Sequence, residues 1–218
     1  MMIVDMHVHT NLGSICSQLG PEELISRARE LGLHAVCVTE HHSHRGADRM
    51  VELARGSGFP VFRGVEIYTE LGDMLVYGLK RDTRYHLTTF RELLQMAEED
   101  GALIVPAHPT RGWDQKHPHQ HVFPRELVGK VAAIETLNGA NTERSNLWAV
   151  QVARELGLPG LGGSDAHSAW QLGKCVTVFE NWIEDEKQLL EELRAGRFYA
   201  AYLKDLEVAH PPLERPRD

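Results

Sequence analysis

A chain of 218 residues with 42% hydrophobic content is long enough for one large α/β domain with a real core. Its formal net charge of -8 and the lack of a basic stripe argue against a grip on long nucleic acid, though not against a dinucleotide. No apolar run approaches the roughly 20 residues a membrane helix needs, and no basic-then-apolar leader is visible. Three widely spaced cysteines, Cys16, Cys37 and Cys175, do not form a disulfide framework, so a reducing cytoplasm is the expected setting. Thirteen histidines is the one compositional oddity.

The first element, IVDMHVHTN from Ile3 to Asn11, reads as a strand. Strict alternation puts Asp5, His7 and His9 on one face and Val4, Met6 and Val8 on the other. The two histidines then stand roughly 7 Å apart, able to converge on one ion. PEELISRARELG follows as a helix, with Pro21 in its first turn and Gly32 as its stop. HAVCVTE is a β-branched strand, and RGADRMVELARGSG a helix ending on glycines. PVFRGVEIYT and DMLVYGLK are strands joined by a tight turn at Gly72, a hairpin signal. TTFRELLQMAEEDG is helical, ALIVPAHP and VAAIETLN are strands, and NTERSNLWAVQVARELG is a helix with Asn141 as its expected cap. LPGLGGSDAH is a short strand ending in polar residues, its glycines suited to tight packing rather than to a phosphate loop. KCVTVFE, EDEKQLLEELRAG and RFYAAYL close the pattern. The βα alternation predicts a parallel sheet, open or closed into a barrel. A single domain over residues 1–203 with a tail over 204–218 is expected.

The ends of these strands carry an unusual set of side chains. They offer His7 and His9, Glu40 and His41, Glu66, His108, Glu135 and Asn138, then Asp165 and His167, while the strand after Gly72 begins at Asp73. In barrels and open α/β sheets the site lies at the carboxyl ends of the strands, so these residues meet in space. One buried histidine is usually structural; this many at one end predict a metal site. Imidazoles and carboxylates without thiolates suit Zn, Mn or Fe. The donors are too many for one ion, and Glu66 could bridge, which favours two or three divalent metals.

In this order and at these separations, DMHVH, TEHH, GVE, PAHP and GSDAH resemble the motifs of the PHP (polymerase and histidinol phosphatase) superfamily. The resemblance implies a single-domain, distorted (β/α)7 TIM-like barrel with a trinuclear metal centre at its mouth. It implies a stand-alone phosphoesterase. Carried over by position, His7, His9 and Asp165 look like ligands of a first metal. Glu66 looks like the bridge to a second, His108 like a second-metal ligand, and His41 and His167 like third-metal ligands. Asp5 and Glu40 are read as groups that orient the histidines. Two positions depart from the family pattern. Asp73 stands where many members have histidine. Near the expected third-metal residue after the H-x-H pair stand Ile15 and Cys16. Cys16 reaches a metal only if the loop shifts by one residue, and otherwise reads as an inert thiol. The third site is therefore expected to be weak or empty.

The implied chemistry is hydrolysis of a small phosphorylated metabolite, nucleotide or short oligonucleotide by a metal-activated hydroxide. Two alternatives stand beside it: a metal-dependent hydrolase of a non-phosphate substrate, and a non-catalytic metal-binding module. No Walker loop, G-x-S-x-G elbow or C-x-x-C motif offers another mechanism. Arg111 is the candidate for holding phosphate, in a long loop that also carries Trp113, Lys116, His117, His119 and His121. His34, His44, His86 and His210 lack supporting neighbours and are read as surface. No membrane and no long nucleic acid are expected as partners.

Overall fold

The computed structural model describes residues 1–83, 88–111 and 127–209. Its first half runs β1 (Met2–Val8), α1 (Pro21–Glu30), β2 (Ala35–His41), α2 (Arg45–Arg55), β3 (Val61–Thr69), β4 (Gly72–Tyr77), α3 (Phe90–Asp100) and β5 (Leu103–Pro106). The second half adds β6 (Ile134–Asn138), α4 (Glu143–Leu156), β7 (Gly160–Gly163), β8 (Cys175–Phe179), α5 (Glu186–Ala195), β9 (Phe198–Tyr202) and α6 (Leu203–Ala209).

Local chemistry accounts for the helices. In α3, Thr89 and Glu92 form a reciprocal capping box, Gly101 ends the helix in a left-handed conformation, and Phe90, Leu93 and Ala97 bury one face. Asp185 caps α5 and Gly196 ends it in the same way. For α4 the cap is Thr142, which accepts from the Ser145 N–H, rather than the expected Asn141. Helix α6 occupies the first residues of the expected tail.

The sheet is mixed rather than parallel. Strands β1, β2 and β3 are parallel neighbours, β4 runs antiparallel to β3, and β5 antiparallel to β4. On the other side of β1, β8 and β9 extend the sheet antiparallel, giving the order β5-β4-β3-β2-β1-β8-β9. The parallel pair β6–β7 lies between β5 and β1. Ala132 N–H donates to Ile104 O on one side, and Asp165 N–H to His7 O and His9 N–H to Ala166 O on the other. Strands β1 to β7 thus curl into a distorted (β/α)7 barrel. Because β4 is antiparallel, its first residues, Asp73 included, stand beside the carboxyl ends of β3 and β5.

Three apolar clusters hold this ring. Met2, Val4, Met6, Cys37, Phe62, Leu75, Tyr77, Val105 and Leu161 pack together across its interior, joined by Leu189 and Leu193 of α5. On the outside, Leu24, Ile25 and Ala28 of α1 and Ala47, Met50 and Ala54 of α2 cover Val8, Val36 and Val38. Helix α3 covers Val65, Ile67 and Val76. The glycines of β7 permit close approach: a Cβ on Gly162 would lie 2.3 Å from Val176 O, and one on Gly163 only 2.4 Å from His7 Cβ. His34 and His44 are not surface residues. His34 Nδ1 accepts from Ile3 N–H at 2.9 Å, and buried His44 places Nδ1 3.1 Å from Asp82 Oδ1. His86 and His210 lie outside the described residues.

The alternation expected of β1 breaks. Val4 pairs with Ala35 and Asp5 with Val36, but Val8 pairs with Val38, so three steps on β1 match two on β2. This bulge reverses the pleat. Met2, Val4 and Met6 pack inside the ring, whereas Ile3 and Val8 belong to the outer cluster. His7 and His9 therefore point inward, and Asp5 points outward with Ile3. Side chains satisfy the backbone that the bulge frees: buried Tyr77 donates its hydroxyl to Met6 O at 2.9 Å, and Thr39 Oγ1 accepts from Val8 N–H at 3.2 Å. We expect Tyr77→Phe to lower unfolding free energy by about 1–3 kcal/mol, since buried Met6 O would lose the one side-chain donor it has among the described residues. Urea denaturation reads this directly; an unchanged midpoint would show that the bulge needs no such partner.

Candidate metal centre

The barrel mouth brings together all eight residues read from the sequence as ligands. Among the described residues, four groups of donor atoms lie within 4.8 Å of one another: His7, His9 and Glu66; His7, His108 and Asp165; Glu66, Asp73 and His108; and His9, His41 and His167. His7, His9, Glu66, His108 and Asp165 are buried. His41 and His167 stand partly open at the rim.

Partners on the far side of each ring fix its proton. His7 Nδ1 lies 2.9 Å from Glu135 Oε1, a carboxylate that can only accept. His9 Nδ1 lies 3.3 Å from Ser14 Oγ, whose own proton goes to Glu40, so Nδ1 is the donor there too. His167 Nδ1 faces Asp165 O at 3.0 Å. In the neutral rings the opposite nitrogens of His7 and His9 are lone pairs, and these two Nε2 atoms face each other across 3.0 Å. Glu66 and Asp165 place carboxylate oxygens 3.3–3.5 Å from them. His108 Nε2 approaches Glu66 Oε1 at 3.1 Å and His41 Nδ1 approaches Oε2 at 3.0 Å. A dry convergence of acceptors is unfavourable unless a cation or proton sits among them. The donor set therefore fits divalent metal.

The ionisation of these groups follows the same logic. Burial opposes a charge on His7, but the carboxylates of Asp165, Glu135 and Glu66 outweigh it and hold its pKa well above the usual value. Burial dominates at His9 and pulls it down to about 4. Burial would raise Glu66, yet His7 with hydrogen bonds from His108 and His41 keeps it well below the usual range. Asp165 is likewise held low against burial, by His7, His9 and Arg111. Without metal, a proton on His7 takes the place of the missing cation.

The backbone is also under constraint here. His42, His108 and Asp165 carry positive φ of 60°, 30° and 54°. Non-glycine residues rarely accept this conformation, and the strain gathers where strand ends turn ligands into the mouth.

Several expectations need correction. Asp5 orients no imidazole: its carboxylate accepts backbone N–H groups of Ser164 at 2.8 Å and Gly173 at 2.9 Å, and burial raises its pKa to about 6. Glu40, by contrast, does orient a histidine, acting on His9 through Ser14. The residue that orients His7 is Glu135, whose other oxygen accepts from His108 N–H at 2.7 Å and Asn138 Nδ2 at 3.0 Å. A carboxylate within a largely apolar strand was the available signal, although Glu135 is the second residue of β6 rather than its end; nothing in the sequence marks Ser14. Cys16 is exposed, with Sγ 3.4 Å from His41 Nε2, so it borders the centre without a shift of the loop. Arg111 reaches the centre too, donating to Asp165, to Asn138 Oδ1 at 3.0 Å and to Asn141 Oδ1 at 3.0 Å. Trp113, Lys116, His117, His119 and His121 lie outside the described residues.

A protonated His7 must lose its proton when metal binds. Loading near pH 7 should therefore release protons and weaken as pH falls. Calorimetric titration in buffers of different ionisation enthalpy measures this, and identical heats would show that His7 is neutral. Glu135→Gln leaves one acceptor oxygen to serve His7 Nδ1 on one side and His108 N–H and Asn138 Nδ2 on the other, and should weaken metal binding about 10–100-fold in a competition titration.

Comparison with known proteins agrees with this geometry. Residues 5–128 match the model of the PHP domain, and residues 143–198 match that of a PHP-associated family. An uncharacterized protein of Methanocaldococcus jannaschii is 27% identical over 117 residues, half of this chain and 68% of its own length. A two-domain Bacteroides vulgatus protein containing a predicted PHP-like metal-dependent phosphoesterase superposes with a TM-score of 0.75 at 22% identity. The match covers 92% of this chain and only 64% of that one. PsfC from Pseudomonas syringae gives 0.70 at 22% identity over 95% of both chains. An amidohydrolase from Chromobacterium violaceum, solved with bound sulfate and no metal, gives 0.65 at 14% identity over 94% of this chain and 99% of that one. These structural likenesses are of fold; the domain match, over more than half the residues, identifies the chain as a member of the PHP family.

Proposed function

We propose that this chain is a metal-dependent phosphoesterase acting on a small phosphorylated metabolite, nucleotide or short oligonucleotide. The observation that supports it most is the sharing of Glu66 between two donor groups, one with His7 and His9 and one with Asp73 and His108. A carboxylate shared in this way suits a pair of metals, and the group of His9, His41 and His167 would hold a third. Zn, Mn and Fe match these nitrogen and oxygen donors. Bound there, such ions supply Lewis acidity to a phosphoryl oxygen and a lowered pKa to water.

The protein's own side chains do the positioning. Glu135 and the Glu40–Ser14 relay hold the His7 and His9 rings in the tautomer that offers Nε2. Arg111 brings a permanent cation to the rim, and among the described residues its Nη1 makes no hydrogen bond, leaving a donor for a phosphate oxygen. The amidohydrolase likeness marks the competing reading of a carbon-centred hydrolase; no lysine stands within the DMHVH, TEHH, GVE, PAHP or GSDAH motifs. The setting we read is cytoplasmic: the three cysteines are free, and among the described residues no helix is long and apolar enough to cross a membrane.

The test is hydrolysis of p-nitrophenyl phosphate and bis-p-nitrophenyl phosphate after loading with Mn, Fe or Zn, with metal content measured on the same preparation. Two or three metals per chain and turnover of either ester are expected, with turnover abolished in His9→Ala and Asp165→Asn. Metal without turnover of either ester would point to a non-phosphate substrate or a binding module. Arg111→Ala should raise KM about tenfold or more, the worth of one charge-assisted contact. An unchanged KM would place Arg111 outside substrate binding.

A further inference from the structure

Next to the metal centre lies a second pocket, of about 370 Å³. Asn138 is the wall between them: it lines the pocket, and its Nδ2 stands 3.5 Å from Asp165 Oδ2. Loops at the barrel mouth, after β6 and after β7, form much of its lining, together with Tyr202 and Lys204.

Besides the exposed Glu143 carboxylate, the polar groups that this pocket leaves unused are donors. Asn141 Oδ1 accepts from Arg111 Nε at 3.0 Å, which fixes the amide's orientation, and its Nδ2 is buried with no hydrogen-bond partner among the described residues. The Lys174 ammonium stands 4.4 Å over the Trp170 ring and the Lys204 ammonium 5.4 Å from the Tyr202 ring. Among the described residues neither lysine meets a carboxylate, in a chain with 31 acidic and 23 basic side chains. Trp170 is 69% exposed, an unusual position for so large an apolar surface. Both lysine cations already lie over the rings, so an anion bound by them is held beside two aromatic surfaces, which suits a flat ligand bearing an anion. Arg111 links the two sites, since one guanidinium touches both Asp165 and Asn141.

The geometry points to this pocket as the subsite for the leaving group of the phosphoester, selecting a ring that carries a second anionic group, either phosphate or carboxylate. This rests on the phosphoesterase reading. The test compares phenyl phosphate, 4-carboxyphenyl phosphate and 1,4-phenylene bisphosphate on the metal-loaded full chain. Phosphate release gives KM, and calorimetry gives affinity independently of turnover. One or both doubly anionic esters should bind at least tenfold better than phenyl phosphate, and which of them does so identifies the second anion. That ratio should collapse in a Lys174→Gln/Lys204→Gln variant. Equal affinity for all three, or a preference that survives the double substitution, overturns the subsite. A preference seen by calorimetry without hydrolysis of any ester upholds the subsite and sinks the phosphoesterase reading instead.

Discussion

Two imidazole nitrogens face each other across 3.0 Å, each turned into an acceptor by the group behind its ring. Carboxylates close in from two sides rather than one. Both histidines are fully buried, so bulk solvent does not screen the conflict. Much else at the mouth serves this arrangement. Glu135 is buried to hold His7, Ser14 and Glu40 to hold His9, and Gly163 is small so that β7 can approach His7. The left-handed backbone at His108 and Asp165 costs of order 1–3 kcal/mol at each position. A fold tolerates such a concentration of unfavourable terms where a cation offsets them.

The bulge in β1 is the structural device behind the arrangement. An unbroken pleat would put Met6 and His7 on opposite faces of the strand. With one extra residue the lower half of β1 can fill the barrel with Met2, Val4 and Met6 while its upper half turns imidazoles into the same interior. The switch from apolar filling to ligand donors thus occurs within one strand.

The sequence disclosed the residues at the strand ends and hid the wiring between them. His7, His9, His41, His108 and Asp165 were legible because such types rarely recur at one end of a βα pattern without reason. Asp5 was misplaced because a period of two assumes an unbroken ladder, and no local signal distinguishes a bulge donated to by Tyr77, 71 positions away. Glu135 was visible as a carboxylate within a strand, but its pairing with His7 spans 128 positions and depends on β6 and β7 lying beside β1. The helix caps show the limits at short range: Asn141 and Thr142 both suit a cap, and Asn141 is instead engaged by Arg111. His34 and His44 looked unsupported because their partners, Ile3 and Asp82, are distant in sequence. Local propensity located elements well; contacts between remote segments stayed out of reach.

Among the described residues, the β6–β7 pair adjoins β5 through one backbone hydrogen bond and β1 through two at an isolated bridge, rather than through full ladders. Hydrogen bonding alone leaves the barrel with two weak seams. The candidate donors come from β1, β2, β3 and β4 and from the segments after β5 and β7, so they straddle both seams. A cation held among them would act as a cross-link, completing in coordination bonds a circumference that the backbone only partly closes.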